Sequence, residues 1–201
     1  MSSLPSDTLV TPGALVVSVS EARDHLNLWK GDGDDEPLLD TYLESAQRRV
    51  ERDTFRSLSV QTFTKTQHCF PLSQYIPLRW GPLVSVESVQ YIDPDGVTQT
   101  WDSANYMIDA RQPGNLWRKS SVEWPATSSD PDSVTISYTA GLAHDDPMYH
   151  SARAAVLLLL AESYENRQPV GDMANPSSGR WSTYDHLRRQ LNVGGWPGAY
   201  S

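Results

Sequence analysis

The sequence has a single cysteine, Cys69, among 201 residues. That excludes an intrachain disulfide framework and any zinc site built from several thiolates. Its place between His68 and Phe70 predicts a buried, structural thiol. Basic residues are also scarce: 16 Lys and Arg face 25 Asp and Glu, for a net charge of −9 and a pI near 4.9. Tight binding to a nucleic-acid backbone relies on clustered cations and is not expected. An acidic wall would instead let a duplex slide past without sticking. No apolar run reaches the roughly 20 residues that span a bilayer. The apolar block within residues 152–161 is closed by Arg153 and Glu162, and residues 1–12 have neither a basic n-region nor a continuous apolar stretch. A soluble chain without a recognisable export signal is the expectation.

Catalytic signatures are missing as well. There is no phosphate-cradling glycine motif, no nucleophile elbow and no His-Glu-x-x-His helix. His25, His68, His144, His150 and His186 are scattered. The nearest approach to a metal set is His144 and His150 with Asp145 and Asp146 between them, but Asp-Asp-Pro ahead of a helix is already explained by capping. Asp32, Asp34 and Gly33 suggest a calcium loop until spacing is checked: Leu43 stands where the twelfth-position acid belongs, and Pro37 where the loop glycine belongs. The expectation is a protein that is not an enzyme and carries no cofactor or metal.

What is present is a composition able to build a core, 38% hydrophobic, with 7 Trp, 9 Tyr and 14 Pro. Residues 1–13 are polar and proline-punctuated and read as a mobile arm. Ser18-Val19-Ser20-Glu21 fits a capping box and starts a short helix through Leu28, with Ala22, His25, Leu26 and Trp29 inward. A second helix, capped by Asp34 or Asp35 and carrying Pro37 in its first turn, runs to about Asp53. Its inner face is Leu39, Leu43, Ala46 and Val50 with Tyr42 beside them; Glu44, Arg48, Arg49, Glu51 and Arg52 form the solvated side.

The period then changes to alternation. Strands are predicted from Val60, from Leu83 to Tyr91 with a bulge near Glu87-Ser88, and from Val97 to Trp101 after the Asp93-Pro94-Asp95-Gly96 turn. Shorter ones are predicted around Tyr106, Leu116 and Val134. Trp80, Trp101, Trp117 and Trp124 lie in this region. An exposed row of them would stack on sugar rings, so a small carbohydrate- or protein-binding recognition module is the rival reading; the neighbouring prolines favour packing over turns.

Helix returns after Asp145-Asp146-Pro147. Ala154, Ala155, Val156, Leu157, Leu158, Leu159 and Leu160 cover the whole circumference of the following helix, which must be enclosed in a domain core or clamped between subunits. It ends in Tyr164-Glu165-Asn166-Arg167. A loop over 168–180 precedes a last helix capped by Ser182 or Thr183, with Tyr184, Leu187 and Leu191 on one face and Arg188 and Arg189 near its end. The tail from Gly194 spends Trp196 and Tyr200 on a segment that cannot stay helical. The fold class read from this order is α+β: a helical body of about four helices with an antiparallel β domain inserted between the second and third. The body takes 17–58 and 141–192, the β domain 59–140, and arms take 1–16 and 193–201.

The order of segments resembles the head-tail connector, or adaptor, family of tailed bacteriophages and related gene transfer particles. The resemblance rests on Ser20-Glu21-Ala22-Arg23-Asp24-His25-Leu26, on Asp34-Asp35-Glu36-Pro37-Leu38-Leu39, and on Pro82-Leu83-Val84-Ser85-Val86-Glu87-Ser88-Val89-Gln90-Tyr91. It continues through the Asp93 turn, Ile136-Ser137-Tyr138-Thr139-Ala140-Gly141, Pro147, and the apolar helix with its Tyr164-Glu165-Asn166-Arg167 coda. It extends from Val17 to Arg167 and leaves both ends outside. The resemblance implies a structural virion protein at the head-tail interface, assembled in the host cytoplasm. It implies a homo-oligomeric ring, commonly of about twelve copies, that surrounds the DNA exit channel without sequence-specific DNA binding. Its partners would be the portal protein and tail-completion, stopper or tail-terminator proteins, with no membrane and no catalysis. Tyr164, Glu165, Asn166, Arg167, Arg188, Arg189, Trp196 and Tyr200 are the candidate subunit or partner contacts.

Overall fold

The computed structural model describes residues 6–28, 36–111, 114–165 and 178–192. They form two compact units: residues 6–13 with Val60–Gly141, and Ala14–Ser59 with Leu142–Asn192. The fold is α+β, with a β unit inserted between the second and third helices of a helical one.

In the helical unit, α1 (Val19–His25) begins at the predicted capping box: the Ser18 hydroxyl accepts from Glu21 N–H, and the Glu21 carboxylate accepts from Ser18 N–H at 3.0 Å. It stops one turn early for the predicted inner face. Asn27 takes a left-handed φ of 53°, its N–H and that of Leu28 return to the carbonyls of Asp24 and Arg23, and the helix closes in a Schellman motif. His25 is therefore exposed rather than buried, while Ala22 is fully buried and Leu26 half-buried. Trp29 and the capping candidates Asp34 and Asp35 lie outside the described residues.

Helix α2 (Glu36–Thr54) buries Leu39, Leu43, Ala46 and Val50 as its spacing predicts. Glu51, expected on the solvated side, is buried. Phe55 turns the chain back at φ 52°, so that Leu58 N–H donates to Glu51 Oε1 at 3.1 Å while Arg48 Nη1 donates to Oε2 at 2.9 Å. Gln47 is likewise buried, accepting from Val16 N–H at 2.9 Å. Helix α3 (Tyr149–Glu165) follows the Asp146 cap, whose carboxylate accepts from Met148 N–H at 2.7 Å. It buries Ala152, Ala155, Val156, Leu159, Leu160 and Ala161 in a core shared with α1, α2 and α4 (Ser178–Leu191). The last helix thus begins before Ser182 and Thr183, which lie within it instead of capping it. Tyr184 and Leu191 are buried and Leu187 half-buried, the face predicted for them.

The β unit holds two antiparallel sheets. One has five strands in the order β1 (Ser6–Thr11), β2 (Gln61–Gln67), β8 (Val134–Ala140), β4 (Leu83–Ile92), β5 (Thr98–Thr100). The other has three: β3 (Tyr75–Leu78), β7 (Gly114–Arg118), β6 (Tyr106–Asp109). The bulge foreseen in β4 is present as a register shift between Val86 and Ser88. The predicted turn closes through Asp93, which accepts from the N–H groups of Asp95 and Val97, with Gly96 at φ 81°. The sheets meet where β7 starts: a Cβ on Gly114 would stand 2.7 Å from Leu83 Cβ, so only glycine permits the approach.

Two strands were not foreseen. β1 occupies part of the expected N-terminal arm, pairing from Ser6↔Thr66 to Thr11↔Thr62. β3 contains Pro77, which a sheet tolerates only on an edge strand, and β3 is an edge. Cys69 is exposed, contrary to expectation, because the chain turns outward after β2 and Phe70 takes the inward place.

Candidate functional site

Among the described residues no group of three or more His, Cys, Asp or Glu side chains could hold a metal ion. His144 packs its ring on Tyr149 at 4.5 Å, and His150 is exposed. No helix of the described residues is long and apolar enough to cross a membrane. Three surfaces stand out among the described residues.

The first surface is the end of the helical bundle where α2 and α4 meet. The Tyr184 hydroxyl donates to Asp53 Oδ2 at 2.9 Å, and Arg49 stands over the Trp181 ring at 5.1 Å while reaching Asp53 at 3.7 Å. Burial first, then the Asp53 carboxylate, push the Tyr184 phenol well above its ordinary range. Arg56 is buried, its Nε donating to the Leu191 carbonyl at 2.7 Å, which fixes the last turn of α4; burial lowers its affinity for the proton. Arg188 is half-buried and paired with Asp185 at 3.1 Å, and Arg189 is exposed in the same turn. At the end of α3, Tyr164 is half-buried and Glu165 exposed. Asn166, Arg167, Trp196 and Tyr200 lie outside the described residues.

A second surface is an open cleft of about 460 Å³ in the helical unit, lined by Leu15, Val17, Glu21, His144, Tyr149 and Arg153. The guanidinium of Arg153 donates to Glu21 Oε1, so the acid that caps α1 also ties it to α3. The Ser18 N–H, more than Arg153, holds the Glu21 carboxyl below its usual range.

A third lies on the β unit. Of the four tryptophans there, Trp80 stacks on Phe63 at 5.3 Å, and Trp101 and Trp124 pack on Phe70 at 5.8 and 4.8 Å. Three of the four therefore serve the core, as the neighbouring prolines suggested for Trp80 and Trp124. Trp117 lies outside it, against Tyr75 with centroids 4.7 Å apart.

The sequence pointed to Tyr164, Glu165, Arg188 and Arg189 near the ends of α3 and α4, and gave no pointer to Asp53, Arg56, Gln47 or Asp7, whose hydrogen bonds depend on partners distant in the chain. The only signal at hand was their chemistry: a carboxylate or guanidinium within an apolar helix face or beside a strand asks for a partner.

No protein-family model matches the chain, and no curated protein does. Solved structures are similar over nearly its whole length. A chain in the virion of a native gene transfer agent particle is 22% identical with a TM-score of 0.72, covering 98% of this chain and 99% of that one. A chain in the neck of the empty particle, computed with C6 symmetry, is 23% identical with a TM-score of 0.73, covering 97% and 98%. One in the neck of the native particle, computed with C12 symmetry, is 22% identical with a TM-score of 0.68, again covering 97% and 98%. At such identity the likeness is one of fold. The chain has a fold found in the virion and neck of a phage-like particle.

Proposed function

We propose that this chain is a structural virion protein of the neck, a ring-forming adaptor that joins the portal of a DNA-filled head to the tail and surrounds the exit channel. The observation that carries the reading is the likeness, over 97% or more of the chain, to chains in the virion and neck of a gene transfer agent particle, with TM-scores of 0.68 to 0.73. The C12 symmetry of one such neck supports a ring of twelve copies. The net charge of −9 suits a channel that DNA must pass without adhering. In this role the protein catalyses nothing and needs no cofactor; its partners are further copies of itself, the portal, and tail-completion or terminator proteins.

Within the ring, Tyr164, Glu165, Asn166 and Arg167 together with Arg188 and Arg189 form the subunit contact, and Glu165 pairs with Arg167 of the next copy to set register. Reversing either charge abolishes assembly and reversing both restores it; unchanged assembly in the single variants contradicts the pairing. Trp196 and Tyr200 act as aromatic anchors on the portal or a neighbouring copy.

The reading is tested by removing the chain from the producing strain. DNA-filled heads without tails are expected in electron micrographs, and normally tailed particles would refute the function.

A further inference from the structure

The outer face of the three-stranded sheet carries an apolar surface that the core does not use. Ile76, Leu78, Leu116 and Tyr106 are buried, so the pleat turns Tyr75, Trp117 and Met107 to the opposite face. Register sets these three side by side: Trp117 on the central strand has Tyr75 opposite on one flank and Met107 on the other. Tyr75 is 40% exposed and Met107 56%, and neither they nor Trp117 belong to the hydrophobic cluster of the unit. Leu72, three residues before Tyr75, is fully exposed. Tyrosine, tryptophan and methionine in one uninterrupted row are the composition of an interface centre. A sugar would need free hydrogen-bonding groups beside the rings. Asp109, two residues beyond Met107 on the same face of β6, is instead occupied by two bonds of 2.8 Å from Arg111.

We propose that this row receives residues 193–201 of a neighbouring copy, with Trp196 and Tyr200 laid against Tyr75, Trp117 and Met107. The inference rests on the ring reading above and names the surface that the tail would meet. The segment Val-Gly-Gly-Trp-Pro-Gly-Ala-Tyr-Ser carries no charged side chain in a chain whose net charge is −9, so it meets less repulsion from another copy than the acidic remainder of the molecule does. The end of α4 ahead of it is anchored, because Leu191 is fully buried and its carbonyl is held by Arg56. Nine residues, if extended, reach about 30 Å. A tail on one copy and a receiving row on another make a heterologous contact, the kind that closes a ring.

The test uses the full chain with the photo-reactive residue p-benzoylphenylalanine at position 196, assembled from an equal mixture of isotope-labelled and unlabelled protein. Mass photometry on the same sample reports whether rings form. Illumination should link position 196 to the peptide containing Met107, joining a labelled to an unlabelled copy. Independently, Met107→Lys, a substitution at an exposed position, should raise the concentration for half-assembly about tenfold or more. Rings that form without the cross-link, or with cross-links elsewhere or only within one copy, overturn the inference and leave the ring reading standing. So does quenching of Trp117 fluorescence by a glycan that displaces the cross-link, which gives the row to a sugar. A chain that never forms rings, alone or on portal-bearing heads, overturns the ring reading and this inference with it.

Discussion

Lys65 and Asp7 stand 58 residues apart in sequence, and both side chains are 3% exposed. Lys65 Nζ lies 3.5 Å from Asp7 Oδ2, and the buried Tyr138 hydroxyl donates to Asp7 Oδ1 at 2.8 Å. Removing one member of such a pair strands the other charge in the core. Lys65→Met is therefore expected to cost about 3–5 kcal/mol, and adding Asp7→Leu to recover most of it, both read from urea denaturation. Lys65 was legible as part of a strand, but its burial was not, because the carboxylate that permits it lies on β1, a strand the sequence disguised as an arm. Glu51 is the same case: its acceptor role exists only once the chain doubles back and offers the Leu58 amide. Tyr138 and Tyr184 add a pH dependence. Burial, foremost, and their Asp partners raise both phenols above the ordinary value. The unfolded chain releases these protons near pH 10 while the folded one keeps them, so their stabilisation is intact below about pH 10 and is lost as pH rises beyond it. Tyr184→Phe should flatten that loss between pH 8 and 11 and cost about 1.5–3 kcal/mol at pH 8, the worth of a hydrogen bond to a charged acceptor.

Among the elements, α3 was the most legible from composition alone, since a helix with leucine and alanine all round has to be enclosed. What composition left open was the source of the cover. Most of it comes from the same chain: Ala152, Ala155, Val156, Leu159, Leu160 and Ala161 are buried within the helical unit, while Ala154 is exposed and Leu157 and Leu158 are half-buried. Leu160→Ala should then cost the isolated protein about 2–5 kcal/mol, whereas Ala154→Ser should change it by less than about 0.5 kcal/mol. Thermal denaturation separates the two; equal effects would mean the helix is not packed as described. β2 was harder to read, because its inward face, Gln61, Phe63, Lys65 and Gln67, is mostly polar and the usual apolar alternation is hidden. The capping box and the β4 bulge were readable because both are set by residues a few positions apart. β3 was not, since proline within four residues argues against a strand until its edge position is known.

For the whole molecule, the order of helices, strands and helices was enough to read an α+β fold with an inserted β domain, because each change of hydrophobic period marks a boundary. What the order does not carry is the set of contacts made with other chains. In the proposed ring, acidic side chains should outnumber basic ones along the bore; a reconstruction with a basic lumen would contradict the proposed channel. The most direct test of the ring itself is stoichiometry on the particle. Purified protein added to portal-bearing, tailless heads and sedimented with them should be recovered at about twelve copies per head. Protein that remains in the supernatant, with heads still unable to accept tails, would contradict the account.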